Sequence, residues 1–438
     1  MSGGRVSDER AAAAEVVAAE AERPPAPALH AAERLGLRVK RVEGAPVVAV
    51  RVWLRSGARV EHVPGQALIT GRMLAEGTRR RDWRQIADEA EARGMIVASF
   101  GGFELHGVSI DALAQDWELA LEWAAELLLE PSFPEDRTAW LARQAAAELE
   151  SLADQPEVKT AWGFNEQLYA PHPRSRPVQG DAASLLALTP ADLAAFHRHA
   201  LGGRVVLTVA GRLDRDAVER RARELFADLP AASAPWPEPP APDGRAAPRR
   251  VVAVEAEEQV HLYMGHLTVP RRHPDYAALE LLAVVLGSGS GLTGRIPTRI
   301  REREGLAYSA HAQILAGAGL DPGRLVAYVG TSPAHAARAE QGIVEELRRL
   351  VEEGIEESEL QEARAYLLGR EPFRRETARQ WADLMAEAEH YELPLEDAAW
   401  RAARLAELDR PSVEAAARRH LRPDELKVTL GLPEGDAG

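Results

Sequence analysis

The chain is 438 residues long, 46% hydrophobic and 28% charged, with a formal net charge of -15. An acidic balance of that size opposes non-specific binding to nucleic acid or anionic lipid. The absence of cysteine excludes disulfides, thiolate chemistry and cysteine-ligated zinc, and no apolar run approaches the roughly 20 residues of a membrane span.

Residues 1–28 are rich in Ala and Glu and end in a proline cluster. They lack the apolar core of a secretory signal, which points to an N-terminal extension and a cytoplasmic protein. A first domain is expected over 29–233. It opens on a β-rich run, Val47 to Ala58, followed by an apolar helical stretch, Gln66 to Glu76. A charged amphipathic helix then stops at Gly94, the usual kind of helix terminator, and a strand MIVASF follows. The stretches WELALEWAAELLLE and RTAWLARQAAAELESLAD carry apolar residues at helical spacing. Residues 234–250 hold seven prolines and glycines and read as a linker.

A second domain, 251–438, repeats the order. It has a strand at Gln259 to Val269, an apolar helix at Asp275 to Leu286, a charged helix stopped at Gly305 and a strand LAYSAHA. Two long helical stretches follow. The matching features lie roughly 210 to 220 residues apart, a duplication rather than a solenoid period. The fold class is therefore α+β, with two homologous domains. Each is expected to hold a largely antiparallel sheet with helices on one face.

Metal chemistry needs ligands on one helix face, as in H-E-x-x-H or H-x-x-E-H. None of the 13 histidines starts either pattern. His197 and His199 point different ways on a helix, and His261 and His266 lie on opposite faces of a strand. All four read as structural. Gly289, Gly291 and Gly294 satisfy G-x-G-x-x-G, but a helical run precedes them, so a dinucleotide loop does not fit. Glu148 and Glu150 read as solvated surface. Arg301 and Tyr308 stand on either side of the Gly305 break. A cation and a phenol so placed could both address one carbonyl, although spacing alone favours a surface ion pair and a core tyrosine.

Several segments in order resemble the insulinase, pitrilysin and mitochondrial-processing-peptidase family. PGQALITGRMLAEGT resembles its metal helix, G-x-A-H-F-L-E-H-M-L-x-x-G-T. PSFPEDRTAWLARQAAAELESLADQPE resembles the downstream helix with a metal-binding Glu. LLAVVLGSGSGLTGRIPTRIREREGLAYSAHAQ resembles G-G-x-x-S-R-L-F-x-x-L-R-E-x-x-G-L-A-Y. The resemblance places Leu68 and Arg72 where the family has its two histidines and Gly71 where it has the water-activating Glu. Glu148 falls at the third ligand and is retained. The motif is thus degenerate, and no metal is expected on this chain. Arg301 and Tyr308 match the family's substrate- and oxyanion-binding pair, and Gly287, Gly289 and Gly291 form a candidate substrate loop.

What the resemblance implies is a non-zinc subunit of a heterodimeric peptidase that cleaves peptides or unfolded segments in a closed chamber. A homologous partner with H-x-x-E-H would hold the zinc. A non-catalytic scaffold and a homodimeric peptide-binding protein are the alternatives.

Overall fold

Runs of Val, Ile and Leu, buried at consecutive positions in the central strands, pair into two five-stranded sheets of the same topology. The computed structural model describes residues 34–255, 259–289, 294–394 and 398–433, so the extension 1–28 lies outside the described residues. The first sheet comprises β1 (Leu35–Arg41), β2 (Val47–Arg55), β3 (Ile96–Gly101), β4 (Leu105–Leu113) and β5 (Val205–Gly211), in the order β1-β5-β2-β4-β3. The second comprises β6 (Arg249–Val254), β7 (Val260–Leu267), β8 (Ala307–Ala316), β9 (Arg324–Thr331) and β10 (Lys427–Pro433), in the order β6-β10-β7-β9-β8. The pairs β1–β5 and β6–β10 are parallel and the others antiparallel. The strands β3 and β8 are corresponding edges.

The helices of the first half are α1 (Gln66–Met73), α2 (Trp83–Ala92), α3 (Trp117–Leu129), α4 (Glu135–Ala153), α5 (Pro156–Tyr169), α6 (Ala182–Ala187), α7 (Pro190–Leu201) and α8 (Arg215–Leu225). Those of the second half are α9 (Tyr276–Ala283), α10 (Pro333–Glu352), α11 (Glu357–Arg370), α12 (Ala378–His390), α13 (Ala398–Glu407) and α14 (Arg410–His420). No helix among the described residues is long and apolar enough to cross a membrane. One face of each sheet carries the main core. Val50, Val52 and Ile110 lie under Ile69 and Leu121 in the first, and Leu262, Ala327 and Val329 under Leu282 and Ile343 in the second.

The other face is not bare. The halves exchange a helix: α5 packs on β6, β7 and β10, and α12 packs on β2 and β5. The first contact is aromatic, Phe164 against Tyr263 and Tyr328. The second is small and close, Ala49 and Ala210 against Ala378, Ala382 and Met385. Helices on one face is therefore right for each half alone, and each sheet gains a second cover from the opposite half. Polar contacts fix the exchange. Buried Arg51 bridges Asp111 at 3.0 Å and Asp383 of α12. Buried Glu104 accepts the Leu320 amide at 2.9 Å and the Tyr391 hydroxyl at 2.8 Å. Burial alone would raise the Asp321 carboxyl, but hydrogen bonds from His172 and Arg59 outweigh it and hold the group at about 2.

Inside the first half, the Ser56 hydroxyl donates to His106 Nδ1 at 2.5 Å, and His106 Nε2–H donates to His197 Nδ1 at 3.0 Å. His197 Nε2–H then donates to the Leu128 carbonyl at 2.7 Å. A carbonyl can only accept, so His197 Nε2 carries a proton, and with both imidazoles neutral the remaining protons follow along the chain. Burial lowers both, His197 from 6.5 to about 4. A depressed histidine contributes stability that is complete above its unfolded value and is lost as pH falls toward its folded value. The unfolding free energy from denaturant titration should therefore fall as pH drops from 6.5 to about 4, by roughly 3 kcal/mol over that range for His197 alone. His197→Gln, which keeps a donor and an acceptor, should flatten that limb. An unchanged slope would contradict the assignment.

Candidate functional site

The helix α1 begins where the Glu61 carboxylate accepts the amides of Gly65 (3.1 Å) and Ala67 (3.0 Å). Burial pushes the Glu61 carboxyl up, against the pull of these amides and Arg176. Ile69 and Met73 point into the core, and Leu68 is buried beside them. Leu68 presents only carbon where a ligand would stand.

At Gly71 the constraint is space. A Cβ there would lie 2.2 Å from the Phe100 carbonyl oxygen of β3, and a Cβ on Gly101 would lie 2.2 Å from the Ala67 carbonyl oxygen. Helix and edge strand touch backbone to backbone, so no carboxylate fits without moving β3. The Ser99 hydroxyl holds the same contact by donating to the Arg72 carbonyl at 2.9 Å.

Arg72 extends from the end of α1 to Glu148 on α4, with Nη1 and Nη2 3.1 and 3.0 Å from the same carboxylate oxygen. The two side chains are 30% and 44% exposed, so this is an accessible ion pair rather than a buried one. A catalytic zinc needs three protein ligands and an open position. Here one carboxylate remains, and an arginine occupies it. The residues present do not fit the ion.

The second half is built differently at the corresponding place. The helix α9 continues into a π turn, Val284–Ser288. Gly287 is buried with φ 144, and a Cβ on Gly294 would lie 2.5 Å from its Cα, so the two glycines close the loop between them. Gly289 is partly exposed, and Gly291 lies outside the described residues. Beyond the loop, a short turn Arg295–Pro297 runs into a second π turn, Thr298–Arg303. This segment is pinned by its other arginines. Arg295 holds Glu359 at 2.7 Å, and Arg299 holds Glu304 at 2.8 Å and Glu346 at 3.1 Å. Arg301, on the same turn, makes no hydrogen bond or ion pair to any described residue.

Gly305, with φ 63, ends the turn and starts β8. The strand then slips its register: Ala307 pairs with Thr331 and Ser309 with the adjacent Gly330. Tyr308 is the extra residue of this bulge and is 95% exposed. A bulge of this kind re-aims a side chain. Neither Arg301 in a surface ion pair nor Tyr308 in the core is what the structure holds. Both side chains are uncommitted, on either side of one glycine, at the edge of the sheet.

The structure thus joins Arg72 to Glu148, buries Leu68 and Gly71, and leaves Arg301 and Tyr308 open. Gly101 was missed from the sequence. Its signal was a glycine closing a strand-like run, a mark of close backbone approach. Gly71→Ala should cost about 1–3 kcal/mol in chemical denaturation, as overpacking does. Arg72→Met, which only breaks an exposed pair, should cost less than about 1 kcal/mol. The reverse order would contradict the packing described.

Residues 39–180 match the family described as Insulinase (Peptidase family M16), and residues 187–367 match the Peptidase M16 inactive domain. An uncharacterized zinc protease of Mycobacterium leprae is 30% identical over 362 residues, which is 81% of this chain and 80% of its own. The non-peptidase homolog YmxG of Helicobacter pylori is 24% identical over 316 residues, 72% of each chain. The crystal structure of a peptidase M16 inactive domain from Pseudomonas fluorescens superposes with a TM-score of 0.83 at 26% identity, covering 91% of this chain and 96% of that one. With its duplicated sheets and the broken motif on α1, the chain belongs to the insulinase family of peptidases, family M16, as a member without H-x-x-E-H.

Proposed function

We propose that this chain is the non-zinc, substrate-binding subunit of a heterodimeric peptidase. A homologous partner carrying H-x-x-E-H holds the zinc and activates the water. This chain gives Arg301, Tyr308 and one wall of a closed chamber. The observation that carries the reading is the contrast between its two halves. Space and charge are both closed to a metal at Gly71 and Arg72, while Arg301 lacks a partner among the described residues and the Tyr308 phenol stands in solvent.

A peptide enters extended and is held as an added strand, which suits β8, an edge paired only to β9. The guanidinium takes a backbone carbonyl, and the phenol O–H donates to the oxygen that gains charge as the peptide bond is attacked. Such donors act most strongly in a chamber from which water is excluded. Edge addition requires free backbone, so the substrates are short peptides or unfolded segments. A cytoplasmic location completes the reading.

A scaffold role is the second reading, and the similarity to a protein named a non-peptidase homolog favours it. Kinetics separate the two. In the reconstituted pair, Tyr308→Phe should lower kcat on the order of 100-fold, with zinc content and subunit association unchanged. Arg301→Ala should raise KM in the same assay. Undiminished turnover in the double variant would leave only the scaffold.

A further inference from the structure

We propose that His273, Asp275 and His420 form a binding site for one divalent transition-metal ion, with Asp275 and His420 145 positions apart in the sequence. His273 and Asp275 belong to the turn that starts α9, and His420 is the last residue of α14. The two helices pack against each other and bring the three side chains together. His420 Nε2 lies 2.7 Å from Asp275 Oδ2. The imidazoles of His273 and His420 stand 4.9 Å apart, centre to centre and nearly perpendicular. One donor atom from each residue lies within 4.8 Å of the other two, and no other such group of three occurs among the described residues. The side chains of Asp275 and His420 are 22% and 18% exposed, shielded yet reachable.

The donor set selects the ion. Two imidazoles and one carboxylate suit Zn, Co or Ni, whereas Mg and Ca prefer oxygen alone. A fourth position remains for water. Three contacts compete with the ion. Arg419 lies 3.0 Å from Asp275 Oδ2, and its side chain is 54% exposed and can swing into solvent. His273 Nδ1 accepts the Asp275 amide at 3.1 Å, a hydrogen bond given up when the imidazole turns its lone pair to the metal. His420 Nε2 gives up its hydrogen bond to Asp275, its proton passing to Nδ1 or to solvent. The ion ties the C-terminal helix to the start of α9, which leads into the Gly287 turn and the segment of Arg301. It braces the half that carries Arg301 and Tyr308.

The test uses the full chain without a histidine tag, stripped by chelator. Cobalt(II) titration followed by visible absorption, with zinc competition by calorimetry, should give one ion per chain and the bands of a low-coordinate site. His273→Ala and His420→Gln should each weaken binding about tenfold or more, the scale seen when a metal site loses a supporting group. Arg419→Gln should tighten it several-fold, an effect of opposite sign that a folding defect would not produce. Zinc should raise the thermal midpoint of the natural chain and leave that of the His273→Ala, His420→Gln double variant in place. Absence of saturable cobalt binding would overturn the proposal, as would binding that survives in the double variant.

Discussion

The backbone of α1 rests directly on the backbone of β3 at Gly71 and Gly101, and much of what this protein can do follows from that contact. Each glycine leaves room for the other element's carbonyl, at distances no Cβ tolerates. The contact sets the rotation of α1. Ile69 and Met73 then fill the core, Leu68 is enclosed, and Arg72 emerges toward α4. A metal helix of this family must offer three polar side chains on one accessible face. Here that face has been spent on packing, and the remaining carboxylate, Glu148, is satisfied by a cation that belongs to the chain. Loss of metal chemistry is therefore steric as well as chemical.

The second half shows the opposite economy. Among the described residues between Ala283 and Ser309 the backbone departs from regularity repeatedly, at two π turns, at Gly294, at the Gly305 reversal and at the bulge at Tyr308. Irregularities of this kind cost stability and tend to mark functional sites. The cost is offset locally by Arg295 and Arg299, whose ion pairs anchor the segment without using Arg301. The exchanged helices α5 and α12 then make the two halves one body. The edge that carries Tyr308 is consequently fixed relative to the first sheet, as the proposed role requires.

Much of this was legible in the sequence. The order of strands and helices, the duplication and the helix stops at Gly94 and Gly305 rested on periodicity and on glycines that do take positive φ. The spacing of Arg301 and Tyr308 across Gly305 was also visible. Other features were hidden for physical reasons. Amphipathicity shows that α5 and α12 bury a face but not against which sheet. Alternation along β8 puts Tyr308 in step with the buried Ala310, Ala312 and Ile314, and only the slipped register turns it outward. A glycine leaves no side-chain pattern, so the contact at Gly71 could be read only as a missing acid. His420 and Asp275 meet through helix packing, which no local spacing encodes.

The central claim is that this chain contributes to peptide hydrolysis only through a second, zinc-bearing subunit. Its most direct test is peptidase activity at constant total protein as the ratio of this chain to an H-x-x-E-H homologue is varied. The account predicts no turnover at the ends where either chain stands alone and a maximum at equal proportions. Metal-dependent hydrolysis by this chain in isolation, or an activity that tracks the homologue alone, would contradict it.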